Sequence, residues 1–289
     1  MRILQRTRSL IAQECAIFFR FSWRDWSTTL IPGSLLSIAA MRSTTMSLQS
    51  AIVHYACAVM WLTLFVYFVD LSNQITGIDE DRVNKPDRPL PSGLVTLEGA
   101  RMRWTTVLAG FSLIGIFYPV ILPETLCWVA TVAFLNLTPA GNHWFGKNCI
   151  AMTTGTWALL SGCWKIIAPL SATHRSFILT VAVWTGILMP IQDFRDMKGD
   201  ARVGRRTMQL VYGDITSRRI YACGFVPAAY AVLRVGRLAD IAPIPLALAH
   251  VYLAYRTMNH DGPRYDHKTY MHFTYLFCAV VASIIVKQH

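Results

Sequence analysis

The sequence predicts an all-α fold, a polytopic membrane bundle with about nine transmembrane helices. Of its 289 residues, 54% are hydrophobic and only 15% are charged. The mean hydropathy is +0.38, which is well above that of a typical soluble domain. Apolar segments recur almost to the end of the chain without a polar domain between them. We therefore expect residues 27–289 to form a single transmembrane domain.

The predicted spans follow from the length of the apolar runs. A helix needs roughly 20 residues to cross the hydrocarbon core of a bilayer. Nine runs approach this length. The two weakest, 27–43 and 125–140, are short and interrupted by Pro32 and Pro139, which membrane helices tolerate. The predicted spans are residues 27–43, 51–69, 104–122, 125–140, 148–167, 176–192, 218–233, 240–256 and 270–287.

Residues 1–26 are predicted to form an N-terminal interfacial segment. Their apolar stretch is interrupted by Gln13, Glu14 and Arg20 and lacks a small-residue cleavage site, which argues against a cleaved signal peptide. An amphipathic helix lying on the membrane surface fits this pattern better. The seven cysteines fall mostly inside apolar runs with no C-x-x-C pair, so we expect them to be reduced packing residues.

The formal net charge of +11 is distributed unevenly. Most lysines and arginines lie in the N-terminal segment and in the loops after every second predicted span, which the positive-inside rule assigns to the cytosol. We expect a multi-pass protein of the endoplasmic reticulum membrane with its active site facing the cytosol. No basic run interleaved with aromatic residues suggests nucleic-acid binding, and no obligate protein partner is evident.

The first of two acidic motifs follows the predicted span 51–69. On a continuous helix Asn73, Gly77 and Asp81 recur every four residues and would share one face. That face offers an amide oxygen and a carboxylate to a metal such as Mg²⁺, and the glycine lets a phosphate approach the backbone. The prolines of segment 84–93 then end the helix and stiffen the loop.

The second motif follows the predicted span 176–192. Asp193, Asp196 and Asp200 are spaced three and four apart and would form an acidic stripe on a helix. Because carboxylates on one face repel each other, Mg²⁺ is a natural counterion. In the alternative interpretation, both motifs are solvated loop ends whose acids pair with nearby bases. The basic residues around the stripe, which could neutralise phosphate oxygens, are Arg195, Lys198, Arg202, Arg205 and Arg206.

These motifs resemble those of the UbiA superfamily of intramembrane prenyltransferases, which have nine helices and Asp-rich motifs after helices two and six. The family's first motif is N-x-x-x-D-x-x-x-D; Asn73 and Asp81 match its ends, and Gly77 stands at the middle Asp. Its second motif, D-x-x-x-D, is matched by Asp196 and Asp200. Further similar stretches are N-K-P-D-R-P-L-P-S-G at 84–93, W-F-G-K-N at 144–148 and G-R-R-T at 204–207.

The resemblance implies a bundle around a central, lipid-open cavity that binds an isoprenoid diphosphate with Mg²⁺. Asp81, Asp196 and Asp200 would be catalytic. The implied metal ligands are Asn73, Glu80, Asp81, Asp193, Asp196 and Asp200. The residues expected to bind the diphosphate are Lys85, Arg88, Lys147, Lys198, Arg205 and Arg206. Aromatic candidates to surround the isoprenoid tail are Trp61, Phe65, Phe68, Trp157 and Trp164.

Three functions stay open at this point. With a glycine in its first motif, the sequence is similar to fungal members of the superfamily, some of which are terpene cyclases. The leading expectation is therefore cyclisation of farnesyl or geranylgeranyl diphosphate in terpenoid secondary metabolism. The alternative is prenyl transfer to an aromatic or quinone-precursor acceptor. By analogy with the family, Arg24 would face that acceptor, but Arg24 could equally be an interfacial anchor. A transporter or receptor is disfavoured, because the ionisable clusters lie at helix ends rather than near the bilayer midplane.

Overall fold

The computed structural model describes residues 2–287, with side-chain surroundings for residues 10–285. Within this range the chain folds into helices and contains no strand longer than an isolated bridge, which confirms the all-α prediction. The α-helices are α1 (Arg2–Ser22), α2 (Leu30–Arg42), α3 (Leu48–Thr76), α4 (Ile78–Asn84), α5 (Leu97–Phe117), α6 (Leu122–Leu137), α7 (Met152–Ile167), α8 (Ala172–Leu188), α9 (Asp193–Arg202), α10 (Met208–Tyr212), α11 (Asp214–Ile220), α12 (Val226–Val235), α13 (Pro243–Met258), α14 (Gly262–Ala282) and α15 (Ile284–Lys287).

Each of the nine predicted spans overlaps a helix, or a pair of helices, in the described part of the chain. Three helical stretches there are long and apolar enough to cross a membrane by themselves: Leu48–Thr76, Pro119–Leu137 and Ala172–Arg202. The remaining apolar helices are shorter or carry more charge, and α2 is an example. The chain therefore has the helical architecture expected of a membrane bundle, and the count of nine crossings stays a prediction.

Helix α3 is the central element, because it carries the first acidic motif into the bundle. The hydroxyl of Ser47 caps it by accepting a hydrogen bond from the Ser50 N–H at 3.3 Å. Its middle turns are bound to α6 through two tryptophans. The Trp128 indole stacks on Phe65 with ring centroids 4.1 Å apart and donates to the Phe65 carbonyl oxygen at 2.9 Å. Trp61 donates to the Thr125 hydroxyl at 3.1 Å, which fixes the same two helices one turn further down.

The N-terminal helix α1 lies against α3 with one apolar face. Ile17 and Phe21 are buried in the bundle core. Large apolar side chains on its outer side remain exposed: Leu10, Ile11 and Phe19, followed by Trp23 in the next turn. An apolar surface facing outward beside a membrane bundle supports the interfacial role predicted for residues 1–26, and this role stays a prediction.

Candidate active site

A cavity of about 190 Å³ lies between α3, α4, α6, α7, α9 and α14. One end is lined by charged and amide side chains from the two acidic motifs and their flanking loops. The other end is lined by apolar and hydroxyl side chains. The ligand suited to such a cavity has an anionic head and an apolar tail. The lining residues with charged or amide side chains are Asp25, Asp70, Asn73, Glu80, Asp81, Lys85, Arg88, Asn136, Lys147, Gln192, Arg195, Asp196 and Arg205.

The first motif reaches the cavity through a broken helix rather than the continuous one predicted. Helix α3 ends at Thr76, and α4 begins at Ile78. The N–H of Gly77 still donates to the Asn73 carbonyl at 2.8 Å, so the chain direction is nearly maintained. A Cβ at Gly77 would lie 2.8 Å from that same carbonyl oxygen, a distance that requires the backbone to shift. The prediction of a shared face holds despite the break, since Asn73, Gly77 and Asp81 all line the cavity.

Asp81 is buried and bound to Arg88. One guanidinium nitrogen of Arg88 lies 2.9 Å from each carboxylate oxygen of Asp81. Burial raises the pKa of Asp81 above its usual range, although the Arg88 guanidinium opposes this shift. Arg88 belongs to the proline-rich loop, so this pair also anchors the loop over the cavity.

Glu80 faces Arg205, which joins the first motif to the segment after the second. The Oε2 atom of Glu80 accepts from two nitrogens of Arg205, at 2.7 and 2.8 Å. Burial alone would raise the pKa of Glu80, but the Arg205 guanidinium, with Lys147 and Lys85, outweighs it and leaves that pKa below its usual value. Glu80 is therefore an ionised group held in place by its bases.

In the second motif, Asp196 is the carboxylate that lines the cavity. Its Oδ2 atom lies 3.1 Å from Lys85 Nζ and 3.3 Å from Arg195 Nε. Lys85 comes from the loop after the first motif, so this contact crosses between the two motifs. The guanidinium of Arg195 also lies over the Tyr270 ring at 4.2 Å, which fixes α9 against α14.

Asp193 lies behind the cavity surface, where it positions other groups. It is 1% exposed and accepts from Lys147 Nζ at 2.8 Å and from Asn148 Nδ2 at 2.7 Å. Burial disfavours the charge on Lys147, but Asp193 and Asp200 raise its pKa above the usual value. Lys147 and Asn148 belong to a π-helical segment, Phe145–Ala151, a deviation that often marks functional sites.

Asp200 is fully buried, and neither of its carboxylate oxygens has a hydrogen-bond partner among the described residues. The nearest base, Arg205, has its Nε 3.8 Å from Asp200 Oδ1. A buried carboxylate without donors is costly unless a cation compensates it. This orphaned group is the feature of the site that fits a bound metal ion best.

The other acids of the two motifs are paired with bases, and no group of three potential metal-binding side chains converges within the described range. Mg²⁺ usually binds through one or two carboxylates together with substrate phosphates and water rather than through a complete protein cage. Asp200 lies one helical turn after Asp196 in α9 but, unlike Asp196, does not line the cavity. Asp196, whose partner Lys85 could be exchanged for a cation, fits a metal that binds together with a diphosphate.

Two of the basic residues predicted to bind the diphosphate do not line the cavity. Lys198 and Arg206 both have exposed side chains on the outer side of the motif. Arg206 contributes through its backbone instead: its carbonyl oxygen accepts from the Trp144 N–H at 2.9 Å, and its own N–H donates to the Asn142 carbonyl at 3.1 Å. The geometry gives no support to a diphosphate role for these two side chains. The predicted bases that do line the cavity are Lys85, Arg88, Lys147 and Arg205.

The aromatic lining of the apolar end also differs from the prediction. Of the five predicted aromatics, Phe65 lines the cavity. Trp61 instead packs against Phe111, with ring centroids 5.6 Å apart, and Trp164 packs against His174, with centroids 3.9 Å apart. The apolar and aromatic side chains in the whole cavity lining are Phe65, Val69, Trp128, Leu135, Met152, Leu159, Met189, Tyr270 and Phe277.

Sequence reasoning assigned no role to several residues that build the site. Asp25 and Asp70 line the cavity outside the expected ligand sets. Asn84 binds the backbone of α9, and its only sequence signal is its place at the head of the N-K-P-D-R-P stretch. Tyr270 carries no local signal, because α14 is distant in sequence from both motifs.

Comparison with known proteins supports the family resemblance of the two acidic motifs. The UbiA prenyltransferase family model matches residues 29–278. Two relatives come from Hericium erinaceus. The diterpene cyclase eriG is 54% identical over 272 residues, which cover 94% of this chain and 88% of the relative. The polyprenyl transferase eriF is 48% identical over 279 residues, which cover 96% and 97%.

A solved structure shares the fold. It is that of a UbiA homolog from Archaeoglobus fulgidus bound to GPP and Mg²⁺, with a TM-score of 0.64 at 15% identity, covering 93% of this chain and 99% of the homolog. The family match spans most of the chain and confirms the resemblance carried by the two acidic motifs. This chain belongs to the UbiA prenyltransferase family and is an enzyme of that family.

Proposed function

We propose that the enzyme ionises an isoprenoid diphosphate with Mg²⁺ and cyclises the resulting allylic cation to a terpene hydrocarbon. The observation that carries this proposal is the division of one cavity into an end with paired acids and bases and an end with apolar side chains. Farnesyl (C15) and geranylgeranyl (C20) diphosphates both have this polarity. The 54% identity to a relative named as a diterpene cyclase favours the C20 substrate.

The basic residues of the cavity are suited to hold the diphosphate. Lys85, Arg88 and Arg205 are each bound to a carboxylate at 2.7 to 3.1 Å, so their charges already point toward the motifs. A diphosphate entering this end would compete for these bases and release their carboxylates. Charge-assisted contacts of arginine and lysine with phosphate oxygens are strong and directional, which favours this exchange.

The residues that would hold magnesium are Asn73, Asp81, Asp196 and Asp200, with Glu80 and Asp193 fixing the bases beside them. Bound Mg²⁺ stabilises the negative charge that develops on a leaving diphosphate. The orphaned carboxylate of Asp200 supports this assignment, because it lacks any other compensating charge at hydrogen-bond distance. Asp193 orients Lys147, whose ammonium lies 2.8 Å from it and lines the cavity.

The apolar end would hold and fold the isoprenoid tail. Phe65 and Trp128 line this end, and aromatic rings stabilise a nearby cation. Water is kept out by the buried bundle core around these rings. A carbocation in this end of the cavity is therefore expected to react with the double bonds of its own chain rather than with water.

Prenyl transfer to an aromatic acceptor is the second candidate, favoured by the 48% identity to a relative named as a polyprenyl transferase. The acceptor contact suggested by analogy was Arg24. Here Arg24 is bound to Asp87 at 2.6 Å and does not line the cavity. This arrangement favours cyclisation over transfer.

We further propose that the cavity's polar end faces the cytosol from the endoplasmic reticulum membrane. Glu14 in α1 accepts from Arg103 Nε at 2.9 Å, and Arg24 pairs with Asp87. The N-terminal segment and the loop 85–96 therefore lie on the same face, which the basic excess assigns to the cytosol.

The proposal is tested by incubating membranes that contain the enzyme with geranylgeranyl diphosphate and measuring inorganic diphosphate. Release is expected with Mg²⁺ and is expected to stop when EDTA removes the metal. Substrate consumption without diphosphate release, or release that is unaffected by EDTA, would contradict the metal-dependent ionisation.

A further inference from the structure

Asp70 is a cavity-lining carboxylate that belongs to neither set of predicted ligands. It lies in α3, is 2% exposed, and its Oδ2 atom has no hydrogen-bond partner among the described residues. The side chain of Asp70 has Asp25 as a hydrogen-bonding neighbour but no base beside it, and a carboxylate at this depth without a base is costly. Its place on the cavity surface gives it access to whatever the cavity binds.

The height of Asp70 along α3 places it at the border between the two ends of the cavity. Asn73, in the first acidic motif, lies three residues toward the polar end, about 4.5 Å along the helix axis at the rise of an α-helix. On the other side, Val69 and Phe65 begin the apolar lining. A hydrocarbon chain with its diphosphate in the polar end would pass Asp70 with its first isoprene units.

The other acids at the cavity surface are engaged by bases. Glu80 pairs with Arg205 at 2.7 Å, Asp81 with Arg88 at 2.9 Å, and Asp196 with Lys85 at 3.1 Å. Asp25 is 4.0 Å from Arg88. Within the described part of the chain, Asp70 is the lining carboxylate that has no ion pair at this distance.

A purely structural role for Asp70 would be to neutralise Arg88. However, Arg88 already contacts both oxygens of Asp81 at 2.9 Å and has Asp25 as a second acid. No hydrogen bond joins Asp70 to Arg88 in the described contacts. The charge of Arg88 is therefore compensated without Asp70.

We propose that Asp70 is the catalytic base that ends the cyclisation. This inference rests on the proposed cyclase function, which supplies the allylic cation and the cyclic carbocation derived from it. A C–H bond next to the cationic carbon breaks, its electron pair becomes the new C=C bond, and the proton bonds to a carboxylate oxygen of Asp70. The product is a neutral hydrocarbon, and Asp70 is left protonated.

Asp25 completes the arrangement as a positioning residue. Its side chain is hydrogen-bonded to Asp70, so the two carboxyl groups share one proton, and Asp70 acts as the base when that proton is on Asp25. Asp25 retains 33% exposure of its side chain, which gives the proton a route from the buried carboxyl toward water. The hydroxyls of the cavity lining, such as those of Thr156, Thr185 and Tyr270, are much weaker bases than a carboxylate. Asp70 is thus the lining group best suited to take a proton from a hydrocarbon cation.

The test compares Asp70→Asn with Asp79→Asn in membranes supplied with geranylgeranyl diphosphate and Mg²⁺. Asp79 is an exposed neighbour paired with Arg82, so its variant controls for loss of one carboxylate near the motif. Released diphosphate and extracted hydrocarbon are measured in the same samples. For Asp70→Asn, the amount of the wild-type hydrocarbon formed per diphosphate released is expected to fall about a hundredfold, within the range of a general base, with a terpene alcohol or an isomeric hydrocarbon formed instead.

An unchanged hydrocarbon pattern in Asp70→Asn would overturn the proposal, as would loss of diphosphate release in a variant that remains folded. If Asp70→Asn does not accumulate in membranes, Asp70→Glu decides: a carboxylate displaced by one methylene should change the position of the product double bond, and an unchanged product overturns the proposal. A wild-type enzyme that releases diphosphate but forms no hydrocarbon would refute the proposed cyclase function itself. Wild-type hydrocarbon formation with an unaltered variant refutes only the role of Asp70.

Discussion

The side chain of Asn84 accepts a hydrogen bond from the Gly199 N–H at 3.0 Å and so joins the two acidic motifs. The same amide donates to the Asp196 carbonyl at 2.9 Å, so it spans one turn of α9. A Cβ at Gly199 would fall within the Asn84 side chain. The loop after the first motif and the helix of the second are therefore held in one relative position.

Gly199→Ala is expected to separate the motifs and lower diphosphate release strongly, with a stability loss of about 1–3 kcal/mol from overpacking. Gly110→Ala is the matched control, because a Cβ there would meet no atom within 4 Å. Diphosphate release and the thermal unfolding midpoint of the detergent-solubilised protein are the measurements. Equal behaviour of the two variants would show that this contact does not position the site.

Asp196→Ala and Asp200→Ala are each expected to lower diphosphate release by about a hundredfold or more, since charge stabilisation by a bound metal is worth several kcal/mol. Asp261→Ala, which removes an exposed acid outside the cavity, serves as the control. Near wild-type turnover in either motif variant would refute the assignment of that residue as a ligand.

The sequence predicts that both Arg205 and Arg206 bind the diphosphate, whereas of this pair only Arg205 lines the cavity. Arg205→Ala removes a base that lines the cavity and leaves Glu80 buried without its partner, so we expect a large rise in KM for the diphosphate. Arg206→Ala should behave like the wild type, because its exposed side chain lies outside the cavity. Steady-state kinetics with geranylgeranyl diphosphate measures both. A larger effect of Arg206→Ala would favour the sequence-based assignment.

The sequence was sufficient to predict features that depend on local pattern. The acids of both motifs recur at helical spacing at the ends of apolar runs, and Asn73, Asp81 and Asp196 do line one cavity. The helix break at Gly77 was not predicted, because a single glycine is compatible with either a continuous or an interrupted helix. Asn73, Gly77 and Asp81 still share one face, because the break changes the chain direction only slightly.

Features that depend on how helices rotate against each other could not be predicted. Trp61 and Phe65 lie one turn apart on α3, yet only the latter of this pair reaches the cavity, because Trp61 is bound to Thr125 on α6. The position of Asp70 in the cavity could not be predicted for the same reason. A lone acid at the end of an apolar run does not reveal whether it faces solvent, a base or a cavity.

The proposed cytosolic orientation gives a topological prediction. The N-terminus and the loop 85–96 should be accessible from the same side of the membrane, because Arg24 is bound to Asp87 across these segments at 2.6 Å. Protease accessibility in sealed microsomes, with tags inserted at each site, measures this. Glycosylation of one site with protease cleavage of the other would place them on opposite faces and contradict both the topology and the shared site.

The cation formed in this cavity is expected to react with the double bonds of its own chain rather than with an acceptor. Membranes containing the enzyme are incubated with geranylgeranyl diphosphate and Mg²⁺, and in parallel with farnesyl diphosphate, with and without a hydroxybenzoate or hydroquinone acceptor. Gas chromatography with mass spectrometry is expected to detect a cyclic hydrocarbon without any acceptor, from the C20 substrate in particular. Absence of hydrocarbon from both diphosphates, together with prenylation of the aromatic acceptor, would contradict the account and identify the enzyme as a transferase.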